Sequence, residues 1–178
     1  MPTAPVGTFL EAAFAGLLVS AAVMDVRARR VPNMLSGALL AGGLIAGALH
    51  LFGVTLGSAA LGALIGLAIW IPFWMLGLLG AGDVKFFAAA CAWLGPSVAW
   101  RASLGVALIG GLMGAVMLVR RRGVKEATEF GIFGLTNPRD VVRNASHHIV
   151  PASARSFPYA VPMALVTGGA MFFPRFFR

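Results

Sequence analysis

Two aspartates lie at the edges of long apolar segments, where an ionisable side chain is unusual. Asp25 follows the first apolar segment and Asp83 precedes the fourth, 58 positions further along the chain. A charge at such a place is costly unless it is paired or hydrated, and it usually marks a functional site. The remaining carboxylates have ordinary explanations as solvated or interfacial groups: Glu11, Glu126, Glu129 and Asp140.

Two carboxylates held close together can carry out the chemistry of an aspartyl protease. They cannot both ionise cheaply, so they share a proton. The ionised member takes a proton from water, the protonated member hydrogen-bonds the scissile carbonyl, and the roles then reverse to protonate the leaving amine. This reaction requires no metal and no cofactor, and we predict neither. Cys91 is the only cysteine and no HExxH motif is present.

Each aspartate also has a purely structural interpretation. Asp25 can pair with Arg29 one helical turn later, an interaction worth about 0.3–0.5 kcal/mol. Asp83 can cap the fourth helix or pair with Lys85. The sequence around each aspartate decides between the two interpretations.

Glycines precede Asp83 in the segment Gly-Ala-Gly-Asp-Val-Lys at 80–85. Gly80 and Gly82 are expected to break the third helix and to let another backbone come close. An extended substrate strand requires that access, because a peptide bond inside a helix hides its carbonyl. Lys85 completes the segment as a candidate supporting residue.

Basic residues and a Val-Pro-Asn sequence follow Asp25. Pro32 suits a helix start and fixes the turn into the second helix. Asn33 is expected to cap that helix or to hydrogen-bond a neighbouring carboxylate. The predicted site therefore has Asp25 and Asp83 as catalytic residues and the following supporting residues: Pro32, Asn33, Gly80, Gly82 and Lys85.

The elements that must position these residues are membrane helices. Of the 178 residues, 59% are hydrophobic and only 11% are charged, with a mean hydropathy of +0.88. A soluble domain would carry about 25% charged residues, and a membrane-spanning helix needs about 20 apolar residues. Six apolar segments can be recognised: Phe9–Met24, Met34–Phe52, Leu56–Leu79, Phe86–Ala99, Ala102–Val119 and Phe157–Phe173. We predict an all-α, polytopic helix bundle that forms one domain over residues 1–178, with a polar cytoplasmic loop at 120–156.

The basic residues predict the orientation of this bundle. Residues 1–10 contain no Lys or Arg, which favours an amino terminus outside. Six alternating helices then place eleven basic residues on one side and three, Arg101, Arg175 and Arg178, on the other. The side with more basic residues faces the cytoplasm, so both aspartates are expected at the cytoplasmic face of a bacterial inner membrane. We therefore expect the basic residues behind the net charge of +8 to set the topology and to contact membrane lipid. We do not expect them to bind nucleic acid.

Three segments together resemble the type IV prepilin peptidases, a branch of the GxGD membrane aspartyl proteases. They are the Gly-x-Gly-Asp-x-Lys segment at 80–85, the Asp-to-Asn segment at 25–33, and Phe-Pro-Tyr-Ala at 157–160 with Gly168 further on. The resemblance implies that Asp25 and Asp83 are the catalytic pair. It also implies the substrate, the basic leader of a pilin or pilin-like precursor, cut on the cytoplasmic side.

Full-length members of that family also carry an amino-terminal methyltransferase region with paired CxxC motifs. The single cysteine here and the absence of an amino-terminal extension predict no methyltransferase domain. The short form resembles the peptidases of tight-adherence (Flp-type) pilus systems.

Two other classes of protein remain open from the residues alone. A small proton-coupled transporter also uses sparse intramembrane acids, but places them near the midplane and often shows a two-half repeat. A noncatalytic membrane subunit of a pilus or secretion machine predicts that either aspartate can become asparagine without loss of function. The peptidase interpretation predicts near-total loss from either substitution.

Overall fold

The computed structural model describes residues 5–28, 31–75, 79–122 and 159–173, and within them every regular element is helical. A short 3₁₀ turn, Leu51–Gly53, follows the second α-helix. The α-helices are α1 Pro5–Ala28, α2 Asn33–Ala48, α3 Leu56–Met75, α4 Ala81–Leu94, α5 Pro96–Arg122 and α6 Ala160–Phe172. The all-α prediction is confirmed for this part of the chain. Of the predicted loop, residues 120–122 continue α5, and residues 123–156 lie outside the described ranges.

Three helices are long and apolar enough to cross a membrane: Val6–Ala28, Leu56–Met75 and Pro96–Met113. α2 and α6 are shorter apolar helices. Large apolar side chains cover the outside of the bundle; Leu108 and Leu112, for example, are 75% and 68% exposed. Such a surface is suited to lipid rather than water, and the protein is a polytopic membrane helix bundle, as predicted.

Helix α4 forms the centre of the bundle. Every residue from Phe86 to Leu94 is buried, and the helix packs against α2, α3, α5 and α6. A helix that is apolar all round belongs in the interior. Two glycines of α3 allow the closest approach, because a Cβ at Gly62 would lie 2.5 Å from the Cys91 carbonyl oxygen, and one at Gly66 would lie 2.9 Å from its Sγ.

Trp93 connects α4 to both α1 and α2. Its indole Nε1 donates a buried 2.7 Å hydrogen bond to the Leu39 carbonyl oxygen. Its ring lies 4.8 Å, centroid to centroid, from the ring of Phe14. These contacts fix the three helices that supply most of the candidate site.

Some predicted boundaries are wrong. The break between α4 and α5 lies at Gly95 and Pro96, not between Ala99 and Ala102, because Gly95 takes φ +71° and Pro96 begins the next helix. Glycine in a left-handed conformation after one helix and proline at the start of the next are a common stop and start. Helix α4 also begins earlier than predicted, so Asp83 lies inside its first turn rather than before it.

Candidate active site

Asp25 lies in the last turn of α1 and is only 3% exposed. Its Oδ2 accepts a 2.9 Å hydrogen bond from the backbone N–H of Ala160, the first residue of α6, 135 positions away. The first N–H groups of a helix have no partner within the helix, and the helix dipole favours a negative group there. The Asp25 carboxylate therefore accepts a hydrogen bond from an N–H group at the start of α6 that has no partner within the helix. The same bond fixes the position of the carboxylate.

Asp83 is held by the start of its own helix. Its Oδ2 accepts a 3.3 Å hydrogen bond from the backbone N–H of Gly80, the residue that caps α4. A carboxylate in the first turn that reaches back to the cap amide is one half of a capping box. The prediction that Asp83 caps α4 is thus confirmed. Its hydrogen-bond partner is the Gly80 amide, not the alternative partner Lys85.

Asp25 lies on α1 and Asp83 on α4, and the charge of Asp25 acts electrostatically on Asp83. Asp25 is buried, whereas Asp83 is partly exposed and lines an open cavity. Of the two carboxyl groups, that of Asp83 can therefore be reached from outside the bundle.

The cavity beside Asp83 has a volume of about 600 Å³ and collects all the predicted supporting residues. It lies between the start of α2 and the start of α4. Its lining residues are Val31, Pro32, Asn33, Gly80, Ala81, Gly82, Asp83 and Lys85. The structure therefore brings residues 31–33 of the first predicted segment and residues 80–83 and 85 of the second to one cavity.

The two supporting residues of α2 differ from expectation. Pro32 is the cap residue, with extended φ −62° and ψ 139°, and Asn33 is the first residue of the helix. The prediction that Asn33 caps α2 is therefore wrong. Asn33 is exposed and, like Lys85, faces the cavity. The proposed pairing of Asp25 with Arg29 falls on a residue outside the described ranges.

Gly82 lies where the start of α4 meets the residue before Pro32. A Cβ added to it would make a tight contact, 3.3 Å from the Val31 carbonyl oxygen. The backbone that approaches this glycine is the chain's own, and the access of a substrate strand stays a prediction.

Sequence reasoning gave no role to Tyr159 and Ala160. The Ala160 contact is made by a backbone N–H, which any residue except proline provides, so no residue type points to it. The phenol of Tyr159 is close enough for the charge of Asp83 to act on it. The sequence signal at this position is the Phe-Pro-Tyr-Ala segment at 157–160, which is part of the family resemblance but carried no assigned role.

The chain is similar to known leader peptidases over most of the bundle. The model of the type IV leader peptidase family matches residues 12–119, which include both aspartates and all the supporting residues. A prepilin leader peptidase/N-methyltransferase of Dickeya chrysanthemi is 34% identical over 128 residues, 65% of this chain and 44% of that protein. One of Aeromonas hydrophila is 37% identical over 118 residues, 62% of this chain and 39% of that protein.

A third relative, a prepilin leader peptidase/N-methyltransferase of Aeromonas salmonicida strain A449, is 34% identical over 137 residues. That match covers 70% of this chain and 45% of the relative. The chain thus spans less than half the length of these curated relatives. No solved structure matches it.

Proposed function

Because the chain belongs to the type IV leader peptidase family, we propose that it is a membrane aspartyl endopeptidase that removes the basic leader from type IV or Flp-type pilin precursors. Asp25 and Asp83 are the catalytic pair in this proposal. The observation that carries it is the cavity that places the Asp83 carboxyl beside the residues that open α2, the helix that follows α1 and its buried Asp25.

The reaction follows from two carboxyl groups that share one proton. The ionised carboxylate removes a proton from a water molecule as its oxygen attacks the scissile carbonyl carbon, while the protonated carboxyl donates a hydrogen bond to the carbonyl oxygen. The C–N bond of the tetrahedral intermediate then breaks, and a carboxyl returns a proton to the leaving amine. Backbone N–H groups of Ala160 and Gly80 each hold one oxygen of the pair, which limits the rotation of both side chains.

The cavity supports a peptide substrate in extended form. Gly80 itself is extended, with φ −75° and ψ 145°, and it is exposed. A substrate strand that enters here presents its scissile carbonyl to Asp83, with Asn33 and Lys85 as polar neighbours. These two side chains act as substrate-positioning groups in the proposal.

The finer assignments rest on charge and cysteine content. The predicted positive-inside bias supports a site that faces the cytoplasm of a bacterial inner membrane. The sequence has one cysteine, Cys91, which is buried in α4, so it contains no CxxC motif. Over residues 1–178, this cysteine content is that of the Flp-type peptidases, and N-methylation of the product is not part of the proposal.

A cleavage assay tests the proposal. Membranes that contain the wild type, Asp25→Asn or Asp83→Asn are mixed with a short Flp-type pilin precursor, and the size shift of the precursor is followed. We expect both variants to lose cleavage while they remain inserted. Glu11→Gln, which changes a half-buried acid elsewhere on α1, serves as the matched control and should cut normally.

Cleavage by either asparagine variant would contradict a two-aspartate mechanism. It would favour the noncatalytic assembly subunit instead. The transporter alternative has no support from the location of these acids, since Asp25 lies in the last turn of α1 and Asp83 in the first turn of α4.

A further inference from the structure

An apolar groove runs along the outside of the bundle between α1 and α6. Its volume is about 280 Å³, and the described residues that line it carry no polar side chain. Large side chains at its edges face outward; Val19 and Leu165 are 63% and 62% exposed. The α1/α6 groove therefore opens toward the surroundings of the bundle and not into its core.

One end of the α1/α6 groove lies next to Asp25. The Asp25 carboxylate accepts the hydrogen bond from the Ala160 N–H, and the next residue, Val161, lines the groove. On α1, Ala22 and Leu18 also line it. They precede Asp25 by three and seven positions, so all three lie on one face of the helix. The groove thus leads along both helices to the buried carboxylate.

The two helices run in opposite directions along the groove. Asp25 meets Ala160 at one end, and further along a Cβ added to Gly168 would lie 3.5 Å from Leu18 Cδ1. The lining residues of α6 extend from Val161 to Phe172, which is about 16 Å of helix at 1.5 Å per residue. A second helix laid in the groove would therefore contact it over about 11 residues.

The properties of the groove select an apolar helix as its occupant. A polypeptide at membrane depth must pair its own backbone groups, so it is helical. The groove contains small residues, Ala22, Ala164 and Gly168, which let another helix approach closely in lipid. A helix about 10 Å wide is too large to enter whole, so one ridge of its side chains fills the groove. A lipid acyl chain would gain nothing from a groove that leads to a carboxylate.

We propose that the α1/α6 groove is the docking site for an apolar helix of the precursor, on the carboxyl side of the scissile bond. This inference rests on the proposed peptidase function. The leader to be removed is basic, so it suits the cavity beside Asp83, which has polar lining residues, and not the α1/α6 groove. Cavity and groove share no lining residue in the described part of the chain. A precursor that occupies both extends from the Asp83 carboxyl to the neighbourhood of Asp25.

Disulfide crosslinking in membranes tests the docking site without requiring cleavage. The chain carries Asp83→Asn, so that the precursor stays intact, together with either Leu165→Cys in the groove or Leu108→Cys on α5. Leu108 is 75% exposed and lies outside the groove, and the native Cys91 is buried. The precursors carry single cysteines at successive positions after the scissile bond. We expect capture by Leu165→Cys to exceed capture by Leu108→Cys about tenfold, as a moderate docking affinity gives.

The outcomes separate the docking site from the proposed function. Equal capture at the two positions, or capture at neither, would overturn the docking site. A disulfide between two copies of the chain through Leu165→Cys, without captured precursor, would also overturn it. Capture at Leu165→Cys by a chain whose parent does not cut the precursor would support the docking site and contradict only the proposed function. Cleavage by the parent without such capture would contradict only the docking site.

A matched pair of glycine variants gives a kinetic test. Gly168 lines the groove, and a Cβ there makes ordinary contact with Leu18, whereas a Cβ at Gly169 meets no atom within 4 Å. We expect Gly168→Leu to raise KM for the membrane-inserted precursor about tenfold with kcat within about twofold of wild type, because binding alone is lost. Gly169→Leu should leave both constants unchanged. Equal KM values for the two variants, or a fall in kcat alone for Gly168→Leu, would overturn the docking site.

Discussion

At the residue scale, the glycines beside Asp83 serve different purposes. Gly82 leaves room for the Val31 carbonyl, since a Cβ there would lie 3.3 Å from its oxygen. Gly80 has an extended backbone that any residue adopts, so the space beside it, rather than its flexibility, explains the glycine. A Cβ there would lie 3.0 Å from Asp83 Oδ2, which is the oxygen that the Gly80 amide holds.

We therefore expect Gly80→Ala to displace the Asp83 carboxylate and to lower kcat about tenfold or more, since small misplacements of reacting groups are costly. The chain should still fold, because alanine is compatible with this backbone conformation. Gly37→Ala, at an exposed helical position with no atom within 4 Å, is the control. Single-turnover cleavage by the two variants measures the difference, and equal rates would show that Asp83 tolerates the methyl group.

The sequence predicted the carboxylates of the site but not the groups that hold them. Asp25 and Asp83 were recognisable because acids are rare in an apolar chain and because their neighbours form specific motifs. The Ala160 amide was not, since a backbone N–H carries no residue identity and lies 135 positions from its partner. The capping bond from Gly80 was predictable in kind, because Asp in a first helical turn commonly makes it.

At the element scale, the six helices follow closely from the apolar segments, and the errors are confined to their ends. The sequence predicted a break between Ala99 and Ala102. The chain instead turns at Gly95 and Pro96, because the two residues provide a left-handed stop and a proline start. Arg101 lies within α5 and stacks over the Trp100 ring at 5.6 Å from its centroid. Apolar content therefore located the helices, whereas backbone chemistry determined where they end.

The contact between α3 and α4 gives a stability prediction. Gly62→Ala would place a methyl group 2.5 Å from the Cys91 carbonyl oxygen, and overpacking of this kind costs about 1–3 kcal/mol. We expect a lower thermal unfolding midpoint in detergent, although alanine is the better helix former by about 1 kcal/mol. Gly57→Ala on the same helix meets no atom within 4 Å and should unfold at or above the wild-type temperature. An unchanged midpoint for Gly62→Ala would mean that α3 can move away from α4 at little cost.

At the scale of the whole molecule, the predicted orientation in the membrane rests on the distribution of basic residues between its two sides. That prediction can be tested directly. Asn33 and Ser97 are exposed and lie next to opposite ends of α4, the first beside the cavity and the second just after Gly95. In intact cells, a membrane-impermeant maleimide should label Ser97→Cys. It should label Asn33→Cys only after the cells are opened. Cys91 is buried, so the parent protein should give little background, and the reverse pattern would contradict a cytoplasmic site.

The hydrogen bond between Asp25 and Ala160 also has a consequence for biosynthesis. A ribosome makes α1 and α4, and with them both acids, well before it makes α6, the last of the described helices. Until α6 has entered the bilayer, the Asp25 carboxylate lacks the amide that fixes it. A nascent chain therefore contains both acids but not the finished site, and we expect activity to begin only when insertion is complete.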